Sequence, residues 1–300
     1  MTKITDEHPM DNIKVRTLKF ETSEMESPVW SKSCPEFAIF INALGVHIPY
    51  FERYLIAALG KAKKEITDDQ LRSDVSDIIG QEAHHAKNFI DFNKYLADCY
   101  PKGDALDKHA KKDFATMARK DDLRRLVGFT AGYETFTFLA GMIILDNYEK
   151  WMHDANPIVR ALWVWHQVEE VEHGAVAFEA YQHLFGEDEW YRRRMVGEAL
   201  WHITKETCKA YFHMCKVEGY FKSVRGTWKS ISFLTKTMAQ MAWLAKPVLK
   251  RNYTPRDHPL VNQRKNPVGF AWRNWESDGG EVLSIDHSRM ARILMYEMPD

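Results

Sequence analysis

Cysteine is scarce. The four in 300 residues, Cys34, Cys99, Cys208 and Cys215, form no C-x-x-C pair. That spacing excludes a disulfide framework and a thiolate metal site, and leaves reduced, packed thiols. Neither sign of charge is in excess. With a formal net charge of -1 and a sequence pI of about 6.9, the chain lacks the electrostatic footprint that nucleic acid requires. Long uncharged apolar runs are missing too. The longest apolar reach, Phe129 to Leu145, contains Glu134 and is short for a bilayer span, so it reads as core. The opening MTKITDEHPMDNIKVRTLKF has early acids and no apolar centre, unlike a secretory signal, and a cytoplasmic protein is expected. Solenoid repeats, low-complexity segments, and flavin or iron–sulfur motifs are all lacking, and nothing asks for a sheet.

The composition that remains, 45% hydrophobic and 28% charged, suits a globular domain with a sizeable core. Residues 1–32 contain Pro9 and Pro28 and keep no sustained period, so an irregular N-terminal arm is expected there. Residues 33–248 form the expected helical domain. Its first helix opens at Ser33 and Pro35 and is expected to kink at Pro49. A second runs from Thr67 or Asp68 to just before Pro101, followed by a polar connection, KGDALDKHAKKD. The third spans about Asp121 to Trp151, and the fourth opens at Asn156 and Pro157 and stops at Gly186. A fifth from about Glu189 to Tyr220 and a sixth from Thr227 to Val248 complete the body. Residues 249–300, with Pro255, Pro259 and Pro267, read as an extended tail packed on the surface.

Charged groups interrupt the apolar seams of the first four helices. Glu52 lies in the seam of the first. Glu82 and His85, one turn apart, replace apolar residues in the second. Glu134 is the only charge in the third, and His166, Glu170 and His173 share one face of the fourth. Burying carboxylates and imidazoles without partners costs several kcal/mol, and a bound cation is the commonest compensation. Two Glu-x-x-His pairs are little above chance in a chain with 13 His. Their position at the middle of apolar seams carries the argument against a buried salt-bridge network.

The order Glu, Glu-x-x-His, Glu, Glu-x-x-His is the ligand set of a carboxylate-bridged dimetal bundle. Two divalent cations about 4 Å apart repel, so carboxylates must bridge or flank them while imidazoles complete each sphere. The fold expected is all-α: a ferritin-like four-helix bundle with two additional C-terminal helices and irregular terminal arms. His166 is taken as a third imidazole on one metal, the competing reading being a histidine hydrogen-bonded behind a carboxylate. The three-residue step selects Glu170 over its neighbour Glu169. His84 faces elsewhere.

The QEAHH segment from Gln81 to His85, the GYET segment around Glu134 and WHQVEEVEHGAVAF from Trp165 resemble the bacterial proteins described as predicted metal-dependent hydrolases. That likeness covers most of the helical body and implies hydrolysis. The ligand pattern, with His166, is also similar to that of the p-aminobenzoate N-oxygenases, which implies two metals and three histidines but carries no substrate over.

A site of carboxylates and imidazoles without thiolate suits iron or manganese, with zinc an alternative. Two irons would activate dioxygen to oxidise a small organic substrate by hydroxylation, desaturation or N-oxygenation, and this is the preferred expectation. Electrons would then come from an external donor or the substrate. Redox-inert ions would instead hydrolyse an ester or amide, and ferroxidase-like iron handling is a third reading. Trp201, Tyr211, Phe212, Trp228, Phe233, Met238, Met241 and Trp243 are expected to wall an organic pocket. Lysines beside apolar residues on helix six, Lys229, Lys236, Lys246 and Lys250 with Arg251, leave contact with a membrane surface as the lesser reading of that helix. A homodimer is left open.

Overall fold

Helix starts are marked in this chain by side chains that can accept from free backbone N–H groups. Asp68 accepts from Leu71 N, Asp122 from Arg125 N, Asn156 from Ile158 N and Val159 N, and Asp188 from Tyr191 N. The computed structural model describes residues 8–261 and 267–285. In chain order its helices are α1 (Pro35–Gly45), α2 (Ile48–Ala62), α3 (Asp69–Cys99), α4 (Gly103–Lys120), α5 (Leu123–Asp146), α6 (Tyr148–Met152), α7 (Pro157–His173), α8 (Val176–Phe185), α9 (Glu189–Val217), α10 (Val224–Leu244) and α11 (Pro267–Ser277). Among the described residues there is no strand. The fold is an all-α bundle.

The central element is α5, which packs on α2, α7, α8 and α9 and is buried from Leu126 to Leu145. It is long and apolar enough to cross a membrane, but 94% of the relevant window is buried inside the protein. Small residues let its neighbours close in. A Cβ at Gly132 would stand 2.7 Å from the Met195 carbonyl oxygen of α9, so only glycine permits this approach beside Glu134.

Four expectations about the elements change. The first helix breaks rather than kinks: α1 ends at Gly45 and α2 begins at Ile48, with Pro49 in the first turn. There its missing N–H leaves no hydrogen bond unmade. The polar connection is the helix α4, which lays Ala110 and Phe114 against α2 and α3 and exposes its lysines. The fourth helix is split at Gly174 and Ala175 into α7 and α8. A Cβ at Gly174 would lie 3.1 Å from the Phe138 side chain, so α5 presses on the break. Finally, the tail is not wholly extended. Val268, Ala271, Trp272 and Trp275 of α11 are buried at helical spacing, and Trp272 lies under the Arg16 guanidinium, 5.1 Å from its ring centroid.

Candidate metal centre

Four helices deliver seven side chains to one place. α2 contributes Glu52, α3 Glu82 and His85, α5 Glu134, and α7 His166, Glu170 and His173. All are buried, none exposing more than 2% of its surface. They form two groups that share Glu170: Glu52, His85, His166 and Glu170, and Glu82, Glu134, Glu170 and His173. Within each group one donor atom per residue lies within 4.8 Å of all the others. One oxygen of Glu170 is 3.0 Å from His166 Nε2 and the other 3.4 Å from His173 Nε2. Glu82 is also split between the groups, with Oε2 3.4 Å from His85 Nδ1 and Oε1 3.2 Å from His173 Nε2. Glu52 lies 3.4 Å from His166 Nε2 in the first group, and Glu134 3.2 Å from His173 Nε2 in the second.

The inward atoms are the ones without hydrogen bonds. Both oxygens of Glu52 and Glu82, Oε2 of Glu134 and Glu170, Nδ1 of His85, and Nε2 of His166 and His173 are buried with no hydrogen-bond partner among the described residues. Buried polar atoms left this way cost free energy and call for an ion or water. The outward ring nitrogens, by contrast, are engaged. His85 Nε2 is 2.9 Å from Glu169 Oε2, His173 Nδ1 is 2.9 Å from Gln81 Oε1, and His166 Nδ1 is 2.7 Å from the Gln167 side-chain nitrogen. As that amide is oriented, Gln167 donates to His166 Nδ1 and the ring proton sits on Nε2, facing Glu170. A half-turn of the amide would present oxygen instead and free Nε2 as a metal donor.

Behind two of the imidazoles runs a chain that the sequence did not reveal. Arg16, buried in the N-terminal arm, donates to Glu169 at 2.8 Å and to both oxygens of Glu172 at 2.8 and 2.9 Å. Gln81 donates to Glu172 at 3.1 Å and faces His173 with its oxygen. His85, Glu169, Arg16, Glu172, Gln81 and His173 thus form one continuous path, fixing the orientation of a ring from each group. The only local signal was that Gln81, Glu169 and Glu172 sit beside the seam residues. Nothing near Arg16 in sequence marked it.

Electrostatics follow from burial. Glu134 is pushed up to about 8 by burial and the charge of Glu170, and Glu52 up to about 7 mainly by burial. Burial opposes the charged form of Glu170 as well, but His166 and His173 hold it well below the usual carboxylate range. For His85 and His173 burial alone would lower the value, yet the negative charge of the surrounding glutamates, close to both rings, raises both well above it. Four inward carboxylates would balance the charge of two divalent cations, and the donors are all oxygen and imidazole nitrogen. On both counts the residues fit divalent metal ions.

A narrow apolar cavity adjoins the first group, lined by Leu44, Tyr133, Phe136, Trp163, Ile203 and Met241 together with His166 and Thr137. Of the eight residues expected to wall an organic pocket, only Met241 lines it. Trp201, Trp228 and Trp243 are exposed, because their helical phase is opposite to that of the stripes that α9 and α10 bury. Tyr50 and Tyr54 donate to Asp107 and Asp121. His84 lies outside the cluster, 3.3 Å from Thr17 Oγ1.

The family model described as predicted metal-dependent hydrolase matches residues 14–259. The chain belongs to that family. The match begins two residues before Arg16 and takes in all seven inward side chains as well as Gln81, Glu169 and Glu172. No curated protein and no solved structure matches the chain. Membership in the metal-dependent hydrolase family and the two donor groups agree on divalent metal ions as the cofactor of this enzyme.

Proposed function

We propose that this family member is a two-metal enzyme acting on a small organic molecule, with hydrolysis as the first reading. The observation that carries the two-metal proposal is the set of inward donor atoms, buried and without hydrogen bonds among the described residues, in two groups that share Glu170, with Glu82 of the second also 3.4 Å from His85 of the first. The family description favours hydrolysis over oxidation, which reverses the preference drawn from the sequence. In this assignment Glu52, His85 and His166 would hold one ion and Glu134 and His173 the other, with Glu170 and Glu82 available to both. When bound, such ions would acidify water and polarise a carbonyl or, if redox-active, activate dioxygen.

The protein's own residues do the rest. Thr137 lines the cavity and its hydroxyl donates to the Glu134 backbone carbonyl, with Glu134 Oε1 at 3.4 Å. Phe136, Trp163 and Met241 keep bulk water from the same space. The Tyr133 hydroxyl has no hydrogen-bond partner among the described residues, and burial raises it well above its ordinary value, so it stays protonated and can donate to a substrate oxygen. The Arg16 path holds the His85 and His173 rings in place.

One observation favours the second reading, oxidation with an external electron donor. The cavity is lined mostly by apolar side chains, and among the described residues its titratable ones are Tyr133 and His166, a lining that supplies no separate base for hydrolysis. Protein stripped of metal and reconstituted separately with zinc, manganese and iron separates the readings. Turnover of esters or amides under anaerobic conditions supports hydrolysis. Reductant-dependent oxygen uptake by the iron form, with no anaerobic turnover by any form, supports oxidation. Failure to bind two equivalents of any of these metals would refute both.

A further inference from the structure

Residues 219–251, which contain α10, carry seven Lys and Arg and no Asp or Glu, while the whole chain has 41 basic and 42 acidic residues. None of the seven, Lys222, Arg225, Lys229, Lys236, Lys246, Lys250 and Arg251, forms an ion pair with a described residue. The surplus is therefore not neutralised within the described protein. Lys246 instead sits over the Trp243 ring, 3.2 Å from its centroid.

The same helix is amphipathic in an unusual sense. It buries only Ser230, Leu234, Thr237 and Met241. Its outward face exposes Val224 at 89%, Trp228 at 72%, Trp243 at 67% and Ile231 at 40%. At 100° per residue these four fall on one side, with Arg225, Lys229 and Lys236 along one flank. Phe221 and Leu249 extend the exposed apolar surface just beyond the two ends of the helix. Scattered exposed apolar residues are ordinary. A run of bulky ones along one helix, bordered by unpaired cations, marks an interaction surface.

We propose that α10 is the docking face of this protein for an anionic lipid surface. Lysine and arginine next to an apolar face attract anionic headgroups, while tryptophan rings settle at the headgroup level and the aliphatic side chains reach the acyl boundary. A second copy of the chain fits less well, since a symmetric contact through α10 would set seven positive charges against seven. Nucleic acid matches the charge but gains nothing from Val224, Ile231 and Leu249. The helix also reaches inward. Met241, on its buried stripe, lines the cavity beside His166, so docking face and cavity lie on opposite sides of one helix.

The test uses the full chain and sedimentation with vesicles of phosphatidylcholine, with and without phosphatidylserine. The expected result is binding to the anionic vesicles alone, reversed by high salt and accompanied by a blue shift of tryptophan emission. Charge reversal by Lys229→Glu, Lys236→Glu and Lys246→Glu together should lower the partition coefficient at least about tenfold. Trp228→Ser with Trp243→Ser should weaken binding and reduce the blue shift. Both sets change exposed side chains, and unchanged circular dichroism melting verifies the fold. Absence of binding to anionic vesicles overturns the proposal, as does binding that neither set weakens. A dimer dispersed by these variants, or binding to a single-stranded oligonucleotide, overturns it when found without vesicle binding.

Discussion

Replacing Arg16 with methionine tests whether the N-terminal arm is part of the metal centre. The Arg16 guanidinium is buried and reaches Glu169 and Glu172, whose side chains expose 0% and 1% of their surface. Methionine of similar length keeps the packing on Trp272 but takes the guanidinium from two buried carboxylates, leaving Glu172 only the more distant Arg273, 4.0 Å away. Breaking a buried ion pair from one side costs about 3–5 kcal/mol. For a chain of this length the unfolding entropy is about 0.6 kcal/mol/K, so the melting temperature should fall by about 5–8 °C. The effect on metal is separate. Glu169 and Gln81 would lose what orients them against His85 and His173, and loss of such support typically weakens metal binding about 10–100-fold. Differential scanning calorimetry of metal-free protein reads the first effect, and competition against a chelator of known affinity reads the second. Arg16→Lys, which keeps the charge but not the forked geometry, should fall between. A double-mutant cycle with Glu172→Gln should show coupling of more than about 0.5 kcal/mol. A methionine variant that melts within a degree of the parent and binds metal equally well would refute the supporting role of this path.

Other perturbations probe different parts of the assembly. Glu170→Ala removes the carboxylate shared by both groups and should abolish binding at both positions, whereas Glu134→Ala should spare the first; metal stoichiometry by plasma mass spectrometry distinguishes them. His84→Ala, one residue from His85 but outside the cluster, should leave stoichiometry unchanged. The pH dependence of the metal-free protein has a defined sign. Folded Glu52 and Glu134 hold protons up to about 7 and about 8, which the unfolded chain releases near 4.5, so the native state binds more protons in between. Stability from these groups should therefore fall as pH rises from about 4.5 to about 8, and metal binding, which displaces those protons, should strengthen between pH 7 and 8; melting curves and titrations across that range check both. Gly132→Ala would drive a methyl into the Met195 carbonyl oxygen and should cost about 1–3 kcal/mol, measured by chemical denaturation.

The helical class and the seven inward side chains were legible in the sequence for one reason. In an α-helix, neighbours on a face recur every three or four residues, so a Glu or His in the middle of an apolar seam is visible without any knowledge of what the seam packs against. Asp68, Asn156 and Pro157 likewise announce helix starts through purely local hydrogen bonding. The same local signal existed for α4, where Leu106, Ala110, Phe114 and Met117 recur at helical spacing, but its many lysines and low hydropathy obscured it. For α11 the pattern was hidden by the prolines before it.

Other features depend on distant partners and had no local trace. Arg16 meets Glu169 and Glu172 across 153 and 156 residues of chain. Which oxygen of Glu82 or Glu170 faces which imidazole depends on how α3 and α7 are rotated against each other. The same holds for the tryptophans of α9 and α10: their identity suggested the wall of a pocket, and only the packing of those helices turned them to solvent. Sequence by itself determined which side chains share a helical face, because that follows from a backbone period of 3.6 residues. Tertiary structure alone decided what each face meets, because burial and pairing are properties of two surfaces brought together.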